Sequence, residues 1–426
     1  MYELEKINLL KGINLYYIKD DKYKTLSMAM YLHRPISRGE VSKNSLLSGV
    51  LKSGTASYPT AGEISRTLEE LYGTIYDVSV SRRGAVQSLV ASCSIVNSSF
   101  AGQELVSKAV DLLFDFMFNP YVEDNGFKES YVETEKKNLK DNIESLINDK
   151  RAYADFRCME KMCEGESAGI NEYGYVEDLP ELNCKNLYSH YKSILTVSPI
   201  DIFVVGDCDI ESVKKGFLEH FKNYEFDISP VEMEEINLKK GEVKTVEEVF
   251  DVAQGKLALG LRTPVGANHK LYYPLLVGNS ILGAGAHSFL FNNVREKSSL
   301  AYYVSSRLDK FSKVMLISSG IEFKNYERAK KEILQQFDDV KEGKFTEEEL
   351  DISKEFIINQ YKSYLDSPYM LRSFYLGQLL VGKEENIHEA IENVKKVTAG
   401  EVVQAFSDIY LDTVYFLKGS SKDEVK

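Results

Sequence analysis

Tryptophan is absent from this 426-residue chain, proline is scarce at nine residues, and the five cysteines are too scattered to cooperate. Cys93, Cys158, Cys163, Cys184 and Cys208 form no CxxC pair, which excludes a zinc knuckle and a dithiol redox motif and predicts reduced thiols packed as small apolar side chains. No apolar run approaches the roughly 18–20 residues that a membrane-spanning helix requires. The opening MYELEKINLLKGINLYY lacks a basic n-region and a small-residue cleavage site, so a cytoplasmic location is expected. Basic residues are in deficit: 52 Lys and Arg against 65 Asp and Glu give a formal net charge of −13. Phosphate binding needs a basic footprint, so this balance argues against a nucleic-acid partner; the charge suits a basic partner or substrate or, as the preferred reading, serves solubility. The six histidines (His33, His190, His220, His269, His287 and His388) include no two within five residues of each other, so no helical pair of imidazoles exists.

What is present is a globular composition and a repeat. Hydrophobic residues make up 43% and charged residues 27%, enough for two domains that each bury a core. MAMYLHRPI (28–36) aligns with LALGLRTPV (257–265): both are alternating strands that stop at a proline, Pro35 or Pro264. The same offset matches Leu46, Leu47, Gly49 and Gly54 with Leu275, Leu276, Gly278 and Gly283. EKKNLKDNIESLINDK (135–150) has a counterpart in SKEFIINQYKSYLDS (353–367), and the helix-to-strand passage NLYSHYKSIL…IDIFVVGD has one in VVQAFSDIYLDTVYFLKG (402–419). Leu46, Leu47, Val50 and Leu51 make one apolar helix stripe; Ile64, Leu68 and Leu71 make another, closed by Gly73. The polar segment 226–248 reads as a linker between an N-terminal domain, 1–225, and a C-terminal domain, 249–426. The expected fold class is α+β, two homologous sandwich domains in tandem, each a mostly antiparallel sheet with helices on one face.

Two stretches carry a family resemblance. SLLSGVLKSGTASYPTAGEISRTLEELYGTIYDVSVSRRG (45–84) and ILGAGAHSFLFNNVREKSSLAYYVSS (281–306) resemble the active-site helix region and the second-half signature of the pitrilysin (insulinase-like) zinc peptidases, relatives of the mitochondrial processing peptidases. The resemblance implies the LuxS/MPP-like metallohydrolase fold. Active members hold zinc with two His of an HxxEH helix motif, whose Glu is the general base. Here the equivalent positions are Ser45, Leu46, Leu47, Ser48 and Gly49. Serine is neither a useful zinc ligand nor a base at pH 7, so no catalytic residue and no metal or other cofactor is expected on this chain. For the family's third ligand, a Glu on a later helix, Glu135, Asn142 and Glu144 are the matches, with Asn142 in the favoured register. GFLEHF (216–221) imitates the end of the motif but has Gly216 in place of the first His, and reads as an ordinary helix.

The second signature retains the pair that the family uses to position the substrate carbonyl, here Arg295 and Tyr302. Both are hydrogen-bond donors, suited to a developing oxyanion. The chain is also similar to the YmfF-like proteins of Firmicutes, which lack the motif and accompany an HxxEH-bearing relative. The implied function is a non-catalytic, substrate-positioning subunit of a heterodimeric peptidase, with the zinc on its partner and a peptide as substrate; a homodimer is the other pairing. A structural or assembly protein with this fold, and an active metallopeptidase with an unrecognised zinc site, are the competing readings.

Overall fold

The computed structural model describes residues 4–101, 105–232 and 234–419. The chain opens with strands β1 (Leu4–Leu10), β2 (Ile13–Ile18) and β3 (Thr25–Pro35), then helices α1 (Val41–Ser53) and α2 (Ala61–Glu70). Strands β4 (Ile75–Arg83) and β5 (Val86–Val96) lead through the short α3 (Ser98–Ala101) to α4 (Val106–Phe118) and the hairpin β6 (Val122–Glu123) and β7 (Gly126–Phe127). Helices α5 (Glu129–Ser145), α6 (Lys150–Met162) and α7 (Cys184–Leu195), strand β8 (Ile200–Val205) and helix α8 (Ile210–Phe221) follow. The second part runs through β9 (Lys244–Phe250), β10 (Gly255–Arg262), α9 (Tyr272–Gly283), β11 (Ala301–Asp309), β12 (Val314–Ile321), α10 (Tyr326–Lys341), α11 (Glu347–Tyr364), α12 (Pro368–Leu379), α13 (Ile387–Lys395), α14 (Ala399–Phe406) and β13 (Tyr410–Gly419).

The strands form two sheets of one topology. The first is ordered β1-β2-β8-β3-β5-β4 and the second β11-β12-β10-β13-β9. Apart from the extra strand β1, they match strand for strand. β2 runs parallel to β8 and β9 runs parallel to β13, while every other pairing in the two sheets is antiparallel. The fold class is α+β, with two sheet-and-helix domains. β9 starts at Lys244, inside the segment read as linker: exposed Thr245, Glu247 and Val249 alternate with half-buried Val246, Glu248 and Phe250, and the parallel register with β13 makes a strand of a stretch whose composition looks like a connection.

The compact units are not contiguous along the chain. Unit 1 gathers Met1–Glu144, Ile170–Met233 and Ser367–Gly377; unit 2 gathers Ser145–Gly169, Glu234–Asp366 and Gln378–Lys426. Where the sequence reading drew 1–225 and 249–426, each unit takes a helical segment from the other half.

In unit 1, strict alternation divides β3 between two faces. Leu26, Met28, Met30 and Leu32 pack into a core with Leu46, Leu47, Val50 and Leu51 of α1 and with Phe114, Phe116 and Met117 of α4. Tyr31 and His33 point to the opposite face, where Tyr31 stands edge-on to Phe203, 5.8 Å between centroids. α2 starts at a Thr60–Glu63 capping box and ends before Tyr72 and Gly73, both at positive φ.

In unit 2, β10 is buried along nearly its whole length, the signature of a strand covered on both sides. One cover is α6, which packs on β10, β12 and β13. A Cβ at Gly260 would lie 2.6 Å from Sδ of Met162, so glycine at this position is what lets the helix approach. The segment is fastened at its end by Arg262, whose side chain is 4% exposed and donates to Glu166 at 2.8 and 2.6 Å and to the Met162 carbonyl at 2.9 Å. Cys93, Cys158 and Cys163 are buried, with Cys184 and Cys208 half-buried; burial pushes the Cys93 and Cys163 thiols up to about 12, so they stay protonated and unreactive.

Breaking the Arg262–Glu166 bond strands a carboxylate and a carbonyl. Arg262→Ala is therefore expected to destabilise unit 2 by about 3 kcal/mol in denaturant unfolding.

Candidate functional site

The positions aligned with HxxEH lie on α1 in unit 1, where the two serines are bonded elsewhere and the other three are packed. Ser45 Oγ donates to the Glu172 carbonyl at 3.1 Å, and Ser48 Oγ donates back one turn to the Ser45 carbonyl at 2.8 Å. The two serines are only 6% and 8% exposed. Leu46 and Leu47 face the core. At Gly49 the missing side chain is replaced by a neighbour: a Cβ there would lie 2.6 Å from Oε2 of Glu135, and the other oxygen of that carboxylate accepts from Ser53 Oγ at 3.2 Å. Of the three sequence candidates for a later carboxylate, α5 thus brings Glu135 to α1; Asn142 and Glu144 lie further along the helix and are exposed.

A loop closes over this face of α1. Tyr175 N donates to Ser42 Oγ at 3.0 Å, Ser42 is bonded to Asp178, and Arg38 pairs with Asp178. Gly174, at φ +84°, lies so near that a Cβ would stand 2.4 Å from Ser42 Oγ. Behind it runs a polar relay: His190 Nε2 bonds Asn44 Oδ1 at 2.7 Å, Asn44 Nδ2 donates to Gln87 at 2.9 Å, and Gln87 Nε2 donates to the same Glu172 carbonyl that Ser45 uses, at 2.8 Å. No periodicity in the sequence announces a backbone carbonyl as the acceptor, which is why this loop escaped a reading based on side-chain motifs.

The donor set does not fit zinc. Two neutral hydroxyls spent on carbonyls, a glycine and one carboxylate cannot supply the three protein ligands and open position of a catalytic centre, and among the described residues no group of three or more His, Cys, Asp or Glu is placed to hold a metal. The motif-like GFLEHF lies on α8, where Phe217 and Phe221 are buried and His220 stacks on Phe114 at 4.4 Å and bonds Asp111 at 2.7 Å. His33 lies between Ser88 (2.8 Å) and Asp201 (3.1 Å), but all three are buried between strands of the sheet, with no room for a substrate at the hydroxyl.

Arg295 and Tyr302 lie in unit 2. Arg295 is on a π-helical stretch, Leu290–Lys297, and Ser299 at φ +49° turns the chain into β11, which carries Tyr302. The Arg295 side chain is 42% exposed, 3.6 Å from Glu296 and 4.7 Å from the Phe291 ring centroid. Tyr302 is 52% exposed, its hydroxyl 3.5 Å from a Glu322 carboxylate that is itself paired with Lys324 at 2.8 Å. Neither is a core residue, and neither is locked in a buried ion pair.

Two sheet-and-helix units of one topology, with a long helix after the third strand where a metal motif would sit, define a pitrilysin-type metallopeptidase architecture. The chain is 33% identical over 411 residues, 96% of each chain, to the Probable inactive metalloprotease YmfF of Bacillus subtilis (strain 168), and it belongs to the M16 (pitrilysin) peptidase family, among the homologues that lack the zinc motif. A family model described as the Peptidase M16 inactive domain matches residues 181–356. The Uncharacterized zinc protease YmxG, also of Bacillus subtilis (strain 168), is 26% identical over 306 residues, 70% of this chain and 71% of that protein. Among solved structures, a conserved protein from Enterococcus faecalis V583 superposes with a TM-score of 0.89 at 29% identity, covering 98% of this chain and 99% of that one. A protease from Helicobacter pylori shares the fold, with a TM-score of 0.79 at 18% identity over 98% of this chain and 99% of that one. No helix among the described residues is long and apolar enough to cross a membrane.

Burial holds the His190 imidazole down at about 4, below its ordinary 6.5. The fold disfavours the charged ring, so the contribution of His190 is intact above pH 6.5 and is lost as pH falls from 6.5 through about 4. The melting temperature of the wild type is expected to drop across that window, and His190→Gln to flatten that part of the curve.

Proposed function

We propose that this chain is the non-catalytic, substrate-positioning subunit of a heterodimeric M16 peptidase, presenting Arg295 and Tyr302 to a partner that carries HxxEH and zinc. The observation that supports this most is an asymmetry of treatment. The metal positions on α1 are filled and closed by Glu135, Glu172 and the loop over Ser42, whereas the two donors of unit 2 stay exposed and free of strong ion pairing. A guanidinium and a phenol can steady the oxygen of a peptide carbonyl under attack without any metal of their own. The match to both a probable inactive metalloprotease and a zinc protease of one organism is in keeping with such a division of labour.

The partner's zinc would supply the activated water; this chain's part is to hold the peptide and donate to its carbonyl. Mixed with an HxxEH-bearing M16 subunit, the chain is expected to yield peptidase activity that neither has alone. Arg295→Ala should lower kcat by about 100-fold or more with the dimer intact by analytical ultracentrifugation, and Tyr302→Phe by roughly tenfold, since a neutral donor is the weaker one. Undiminished turnover with Arg295→Ala would refute the role. Metal analysis of the isolated chain is expected to find far less than one zinc per polypeptide; stoichiometric zinc would instead favour an enzyme complete in itself.

A further inference from the structure

The face of the unit 1 sheet opposite its helical core carries two arginines that, among the described residues, form no salt bridge. Arg372, from α12, is 5% exposed; its Nη1 is 3.5 Å from Ser27 Oγ, and its Nε is buried with no hydrogen-bond partner. Arg83, at the end of β4, donates Nη2 to Ser373 Oγ at 2.8 Å, and its Nε is likewise buried and unpartnered. Because Arg83 grips the residue next to Arg372, the two cations are neighbours, and both act on the Tyr31 phenol. Burial lowers the Arg83 pKa, and Arg372 pushes it the same way, yet a guanidinium stays charged.

Among the described residues neither arginine has a carboxylate at salt-bridge distance. Glu172 is the acid within electrostatic reach of Arg83, and its own carboxyl responds more strongly to Arg82. The Tyr31 phenol cannot serve as counter-ion, because burial raises its pKa. Unit 2 treats the corresponding helix differently: α6 brings buried Asp155 to its sheet, and Asp155 has Ser318 as a donor and Arg307 at 3.5 Å. Two adjacent cations, Arg372 buried and Arg83 half-buried, with no carboxylate paired to either are costly, and the positive end of the α12 macrodipole, one turn from Arg372, adds to the same potential.

We propose that Arg83 and Arg372 form a binding site for a small oxyanion, a carboxylate or phosphate group, with Ser27, Ser373 and Tyr31 as hydroxyl partners. Guanidinium forks suit the paired oxygens of either group. The site belongs to unit 1 alone and requires no partner subunit.

The test is calorimetric titration of the purified full-length chain with inorganic phosphate and, separately, acetate, at constant ionic strength in chloride. Saturable binding of at least one anion is expected, weakened about tenfold or more by Arg372→Gln and by Arg83→Gln, since each removes a charge-assisted pair of bonds. Arg38→Gln, which removes an exposed arginine already paired with Asp178, is the control and should bind like wild type. Tighter phosphate points to a phosphoryl ligand and tighter acetate to a carboxylate; both support the site. Should Arg372→Gln fail to fold, the half-buried Arg83→Gln carries the same comparison. No saturable binding by the wild type, or affinities unchanged in the glutamine variants, would overturn the proposal.

Discussion

Both faces of β10, the central strand of unit 2, are apolar, and this constraint governs the packing around it. β10 has Leu257, Leu259 and Leu261 on one side and Ala258 and Gly260 on the other, all buried or small enough to be covered closely. A sheet of this kind needs a second cover besides its helical layer. In unit 2 that cover is α6, drawn tight against Gly260; in unit 1, residues of α12 reach Ser27 and Arg83 on the corresponding face. The passage of α6 into unit 2 is thus a consequence of strand composition, whereas the contacts named for α12 in unit 1 are polar.

The same logic accounts for what became of the metal helix. α1 is buried on nearly every side, by the sheet, by α5 through Glu135, and by the loop at Gly174. A metal-binding helix face must stay polar and open; a face free of that duty can be packed. Serine satisfies a packed face cheaply, because a hydroxyl can be discharged on a nearby carbonyl, as Ser45 and Ser48 both do. Glycine at position 49 admits a carboxylate from another helix, where any side chain would have to displace it.

Much of this was legible in the residues. The doubled strand-loop-helix register, the prolines closing β3 and following β10, and the apolar stripe of α1 are local patterns that indicate a doubled α+β architecture, whereas the degenerate metal positions are legible only through the resemblance to the pitrilysin peptidases. What escaped was non-local. KRAYADFRCMEKM (150–162) is an amphipathic helix by pattern, and nothing within it says which sheet it will cover. β9 hides in a charged stretch because its pairing with β13, some 170 residues away, supplies what its own composition does not. Glu135 was one of three matches on a single helix, and only packing against Gly49 separates it from Asn142 and Glu144. Arg83 was in plain view beside Arg82, but its neighbour Arg372 is brought in by the exchanged helix.

Shared segments also impose an order on biosynthesis. Unit 1 includes Ser367–Gly377, so the N-terminal half emerges from the ribosome and waits, one face of its sheet unsheathed, until that distant segment has been translated. α6, by contrast, is made long before the strands it will shield. A newly made chain therefore holds an adhesive sheet surface open during elongation, the condition under which chaperones are recruited and premature termination yields aggregates in place of a folded half.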